Sequence, residues 1–278
     1  LVTDHLWLQF ACFVISSYLM VELNNSNALI RIYSRMVSCS FIMMVCMSTF
    51  LLQSSKGMML SICVVMSFVM AFLSYQDKYS MGRIFYSFMS IGIGSMIDVS
   101  VLFFVPVMWL AMFFHLQSMT LRTFISSLFG LICPYWFVAV YLIYTNDITL
   151  AVEHFSQLAV FGKVANFSQV PVSALVSICY VTILSVVGII HYLRNRVFDK
   201  TRTRMFYNTF ILFDIFTIAF IILQPQHYAT MLIILIVTTS PLIAHFIALT
   251  NTWITNLAFK VIVATALSLT IINILQLI

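Results

Sequence analysis

The chain has 278 residues, 63% of them hydrophobic and 8% charged, with 13 Lys and Arg against 8 Asp and Glu for a net charge of +5. A soluble domain carries about 25% charged residues, so this composition excludes an ordinary soluble enzyme or binding module. The excess of bases does not point to nucleic acid, because most of them lie beside apolar runs, where charges set membrane topology.

No polar stretch is long enough for a separate soluble domain, and residues 1–278 read as a single membrane-embedded domain. A membrane span takes about 20 mainly apolar residues, and a helix satisfies its own backbone there. On that rule the fold class is all-α, a polytopic transmembrane bundle of about ten spans. The predicted spans are residues 6–23, 29–52, 58–75, 81–97, 99–114, 123–145, 171–193, 209–223, 228–249 and 257–278. The short pair 81–97 and 99–114 predicts a tight hairpin with Asp98 in its turn and Arg83 snorkelling at one end. Asn146–Val170 is the one long polar break. Apolar residues recur there every three or four positions opposite Glu153, Ser156, Gln157 and Lys163, which predicts a helix lying in the outer interface.

Orientation follows from the basic break Arg194–Arg204, which holds five bases and belongs in the cytoplasm. Alternating outward from it places Arg31, Arg35, Lys78, Arg83, Arg122 and Lys260 on the same side. Eleven of the thirteen bases then lie inside, with Lys56 and Lys163 outside. The expected location is a bacterial inner membrane with both ends of the chain extracytoplasmic. Leu1 is not an initiator methionine, and an external start calls for a preceding span or a special insertion route. The bilayer is the implied partner, with further membrane proteins as candidates.

Catalytic signatures are scarce. The chain has no glycine-rich phosphate loop, no His-Glu-x-x-His and no Gly-x-Ser-x-Gly. The six cysteines fall in apolar runs without Cys-x-x-Cys spacing, and the six histidines lie mainly near the two surfaces, so neither a metal site nor an intramembrane haem is expected. No cofactor is implied. Ser87, Ser90, Gly94 and Ser95 give the spacing of small residues that lets helices approach closely in lipid. The sharper signal is Asp214 within an apolar span, because an acid there costs about 3 kcal/mol and needs a partner. Counted from a shared membrane limit near Thr209 and Thr250, Asp214 and His245 fall at equal depth on antiparallel helices, with Lys260 entering from the same side. Such a cluster serves as a proton or ion site or, more commonly, as a structural ion pair joining helices.

Three blocks in order, Arg83–Met96, Leu102–Leu110 and Leu121–Trp136, the last carrying Gly130-x-x-x-Pro134-Tyr135, resemble an uncharacterised family of multi-pass inner-membrane proteins of Bacteroidota. The segment Asn27–Met36 is similar to that family's cytoplasmic turn after its early spans. The resemblance covers the first half of the chain and implies an additional span and outer loop before Leu1. The same block order is more distantly similar to the GT-C-fold membrane glycosyltransferases, which take sugars from polyprenyl-linked donors. That likeness implies a polyprenyl-linked glycan as partner and a catalytic acid in the first outer loop. Asp4, beside His5, is the acid at that place, and Asp98 is the other candidate outer-face acid. No catalytic residue carries over.

Overall fold

The computed structural model describes residues 6–145, 147–162, 164–168 and 170–275. Among them it is helical throughout, with no strand. In chain order the helices are α1 (Leu6–Asn27), α2 (Met36–Met47), α3 (Thr49–Leu52), α4 (Ser55–Leu73), α5 (Met81–Ile97), α6 (Val105–Ala111), α7 (Leu121–Thr145), α8 (Ile148–Ser156), α9 (Val172–Asn195), α10 (Thr201–Leu223), α11 (Tyr228–Leu249) and α12 (Trp253–Leu275). A 3-10 stretch and a π turn extend α6 into one apolar rod, Val99–Leu116. Among the described residues, eight elements are long and apolar enough to cross a membrane. The other two expected spans fall on shorter helices, α2 with 12 residues and α5 with 17.

The expected span at 29–52 is the one most altered. Its first residues form a turn in which Ala28 has φ 48° and Asn24, itself buried, accepts from Ile30 N–H (3.3 Å) and donates to the Ser34 carbonyl (2.9 Å). A second break falls at Ser48, between α2 and α3. Asn273 of α12 donates to the Met47 carbonyl there (2.8 Å), satisfying a backbone group that the break exposes. Hydropathy does not register such a break, because the residues around it stay apolar.

Helix α11 is the core of the bundle. It is buried without interruption from Thr230 to Phe246 and packs against α2, α4, α9 and α10; a helix apolar on every face belongs in such a place. Five phenylalanines seal α4 against α10, with Phe72 stacked on Phe206 at 4.3 Å and Phe68 edge-on to Phe213 at 4.9 Å. Helix α12 lies at the periphery with most of its surface open.

Because lipid tails are as apolar as the side chains, close packing and polar bonds hold such helices together. Helices α5 and α7 run parallel, with Met81 beside Ser126 and Ser95 beside Tyr135. Gly92 lies against the Leu131 carbonyl and Pro134, and Gly130 against the backbone of Phe85 and Met89. The Gly130-x-x-x-Pro134-Tyr135 block is therefore the α5-facing seam of α7. Gly188 makes the equivalent approach of α9 to Leu242 of α11.

The two ends of the bundle differ. One gathers the turns at Asn24–Ser34, Leu73–Arg83, Leu116–Thr120 and Arg196–Lys200, joined by Arg31–Asp199, Gln76–Leu116 and Arg83–Leu73 contacts, and is called the basic end. The other gathers Gln9 with Gln53, Asp98 with Thr230, and residues 147–162 with the α10–α11 turn, and is called the cap end. Helix α8 does not lie flat as a long interfacial helix. It is nine residues long and folds back along the last turns of α7, with the Phe155 ring 5.3 Å from Tyr135.

A Cβ at Gly92 would sit 2.7 Å from the Leu131 carbonyl, and one at Gly130 would collide with the Phe85 carbonyl, whereas nothing lies within 4 Å of one at Gly82. Gly92→Ala and Gly130→Ala should each destabilise the protein by about 1–3 kcal/mol. The loss reads as a lower melting temperature in detergent, with Gly82→Ala unchanged or slightly stabilised. Indistinguishable melting of all three variants would rule out the close seam.

Candidate functional site: three hydrogen-bonded acids

Asp214 is fully buried on α10. Its Oδ2 accepts from the hydroxyls of Ser185 on α9 and Thr239 on α11 (3.1 Å for the latter), and its Oδ1 accepts from Thr238 on α11. Its partners sit on α9 and α11, so one carboxyl group on α10 joins three helices. The Thr238-Thr239-Ser240 run inside apolar α11 was the sequence signal for these partners.

His245 is also fully buried, but at another level. Its Nε2 lies 3.2 Å from Asp199 Oδ2, and Arg31 Nε donates to Asp199 Oδ1 at 2.6 Å. The expected Asp214–His245–Lys260 cluster is thus replaced by two separate ones. The depth argument failed because α10 begins at Thr201, eight residues before the assumed limit, so Asp214 lies thirteen residues into its helix while His245 is four from the end of α11. Lys260 is exposed on α12. Asp199, absorbed in the sequence among five bases, is the partner that sequence reasoning missed.

Around this ion pair the basic end is well knit. The His245 ring lies 5.0 Å edge-on to Tyr207, 5.8 Å from Tyr192 and 5.4 Å from His191, and its Nδ1 has no hydrogen-bond partner among the described residues. Arg31 also lies over the Phe198 ring, and Arg202 over Phe206 at 5.3 Å. Burial alone would raise the Asp199 pKa, but the hydrogen bonds and charges of His245 and Arg31 outweigh it and hold the carboxyl below the ordinary value.

Asp98 closes α5 as expected, in the turn between α5 and the Val99–Phe104 stretch. Its Oδ1 accepts from the Ser100 N–H (2.9 Å) and hydroxyl (2.7 Å), and its Oδ2 accepts from Thr230 at the start of α11. Against the upward pull of burial, these bonds and nearby His227 keep its pKa below the ordinary value. A cavity of about 270 Å³ beside it is also lined by Lys56, Gln157 and His227. Asp4 and His5 lie outside the described residues. No group of three or more His, Cys, Asp or Glu side chains that could hold a metal is found among the described residues.

Comparison with protein-family models, with curated proteins and with solved structures finds no match. The fold and its buried polar groups define the class directly: an apolar, all-helical bundle of the multi-pass membrane type, in contact with lipid through its outer helices.

Two outcomes follow. Asp199→Asn removes the negative charge shared by Arg31 and His245 and replaces one of its two acceptor oxygens by a donor, and loss of one member of a buried pair costs roughly 3 kcal/mol. Since the folded-state pKa is depressed, the wild-type stabilisation is present above the unfolded value of about 3.9 and is lost as pH falls through the lower folded value. Melting curves should show that acid-side decline weakened in Asp199→Asn. At the second level, Asp214→Val should cost about 1–3 kcal/mol, and the loss should overlap with that of Thr238→Val, because both remove the Asp214–Thr238 bond. Fully additive losses would argue against the shared bond.

Proposed function

We propose that the chain is a ten-span inner-membrane protein of a Gram-negative bacterium of the Bacteroidota. In this reading the basic end lies in the cytoplasm and the cap end and both chain ends lie outside. It serves as a non-catalytic component of a membrane complex in envelope biogenesis. The observation that carries the reading is the use made of three acids, two of them buried and Asp98 half-buried. Asp214, Asp199 and Asp98 each bind groups on separate elements of the same chain and act as joints of a scaffold. The gathering of Arg31, Lys78, Arg83 and Arg194–Arg204 at one end supports the orientation, since bases favour the cytoplasmic side. The short helices α2 and α5 support the larger span count, because thinning of the bilayer and snorkelling accommodate a short helix at modest cost.

The glycosyltransferase reading needs an acid free to act at the outer face. Asp98, the described acid at the cap end of α5, has both carboxylate oxygens engaged by Ser100 and Thr230, which favours the scaffold reading.

Purification from native membranes after mild crosslinking should yield a stoichiometric membrane-protein partner by mass spectrometry. A chain that purifies alone and transfers sugar from a polyprenyl-linked donor would overturn the proposal. Cysteine labelling in whole cells should reach Ser156→Cys from outside and leave Thr201→Cys protected; the reverse pattern would invert the topology.

A further inference from the structure

The Asp98–Thr230 bond aligns the end of α5 with the start of α11 and so marks the rim of the bundle at the cap end. The Tyr135 hydroxyl meets Ser95 Oγ at 2.7 Å, which places Tyr135 at that rim. Helix α7 nevertheless continues to Thr145, ten residues further, and so projects about 15 Å beyond it. This overhang is not polar. No charged residue occurs from Phe129 to Tyr144, and Trp136, Phe137 and Tyr144 are 69%, 72% and 87% exposed.

The chain then reverses, with the Asp147 N–H on the Leu142 carbonyl at 3.1 Å, and α8 descends until His154 Nε2 lies 2.9 Å from the Ser95 carbonyl. Between the two arms is an open groove of about 590 Å³ whose walls include Val138, Ala139, Leu142, Leu150 and Ala151. The polar groups at its foot, the Tyr135 hydroxyl and His154 Nε2, are both engaged by Ser95. A guest therefore meets aliphatic walls and a floor whose polar atoms are already bonded.

We infer that this groove holds one acyl chain of a membrane lipid, drawn from the adjoining leaflet up into the overhang. Ile132, Trp136, Ala139 and Ile143 follow one another at helical spacing on α7, so the open edge of the groove borders the exposed apolar face of that helix below the rim, where Ile132 is 54% exposed. Lipid is thus the neighbour along its open edge. An alkyl chain needs no hydrogen bond and matches the walls along their length. The inference does not depend on whether the protein has a partner or on which side of the membrane the cap end lies.

The test uses the full chain in vesicles of phosphatidylethanolamine and phosphatidylglycerol doped with a phosphatidylglycerol that bears a diazirine in one acyl chain. Light should attach the probe to peptides covering 138–151 in preference to those of α12, which is equally open to lipid. Ala139→Trp and Ala151→Trp fill the groove from positions that are not in the core, so both should fold and melt as wild type. Each should lower the labelling of 138–151 by about tenfold, equivalent to ~1.4 kcal/mol, and leave labelling of α12 unchanged. Labelling no stronger there than on α12, or labelling that survives both substitutions in folded protein, would overturn the inference. So would crosslinks at these positions to another polypeptide in native membranes in place of lipid.

Discussion

A hydroxyl or carboxyl group inside a bilayer has no water to turn to, and that constraint organises this bundle. Apolar side chains gain little by leaving lipid for one another, so the specificity of helix pairing rests on polar joints and close seams. Asp214 meets the constraint by accepting from Ser185, Thr238 and Thr239, which positions α9, α10 and α11 with a single group. The phenylalanines between α4 and α10 then pack against helices whose relative placement the joint has set.

The glycine seams do the complementary work. Gly130 and Gly92 let the α7 and α5 backbones approach more closely than any side chain permits. Pro134, which cannot donate a backbone hydrogen bond, sits where its ring fills the space beside Gly92. Tyr135 completes the seam through its hydroxyl on Ser95. The block Gly130-x-x-x-Pro134-Tyr135 therefore has a packing explanation in each of its named residues.

Much of the architecture was legible in the sequence because hydropathy reports which segments are apolar, and helices are what apolar segments become in lipid. The hairpin turn at Asp98 was legible for the same reason, from two short apolar arms around one acid. What hydropathy cannot report is rotation about a helix axis, or where a helix continues past the apolar stretch. Helix α10 extends through Thr201–Asn208, where a polar first turn, Thr201–Arg204, leads into the buried Phe206 and Tyr207, and this displaced the depth reckoning for Asp214. His245 was rightly expected to have an acidic partner, but that partner sits in a loop whose bases drew attention to topology alone. The small residues Ser87 and Gly94 were read as packing positions, and Gly94 does face Cys63 and Leu60 of α4, while the tightest approaches, at Gly92 and Gly130, lacked a spacing signature.

The joint between Arg31 and Asp199 spans 168 positions of the chain. At a synthesis rate of roughly 5–20 residues per second, Arg31 enters the membrane on the order of ten to thirty seconds before its partner exists. During that interval α1 already has α2 and α4 beside it, whereas α2 lacks α11, which covers it, and α12. The basic end therefore closes as a late event of assembly, by docking of helices already inserted. Until then the early spans form a transient intermediate with an unpaired guanidinium at the membrane surface, which is the state a membrane insertase or quality-control protease would encounter.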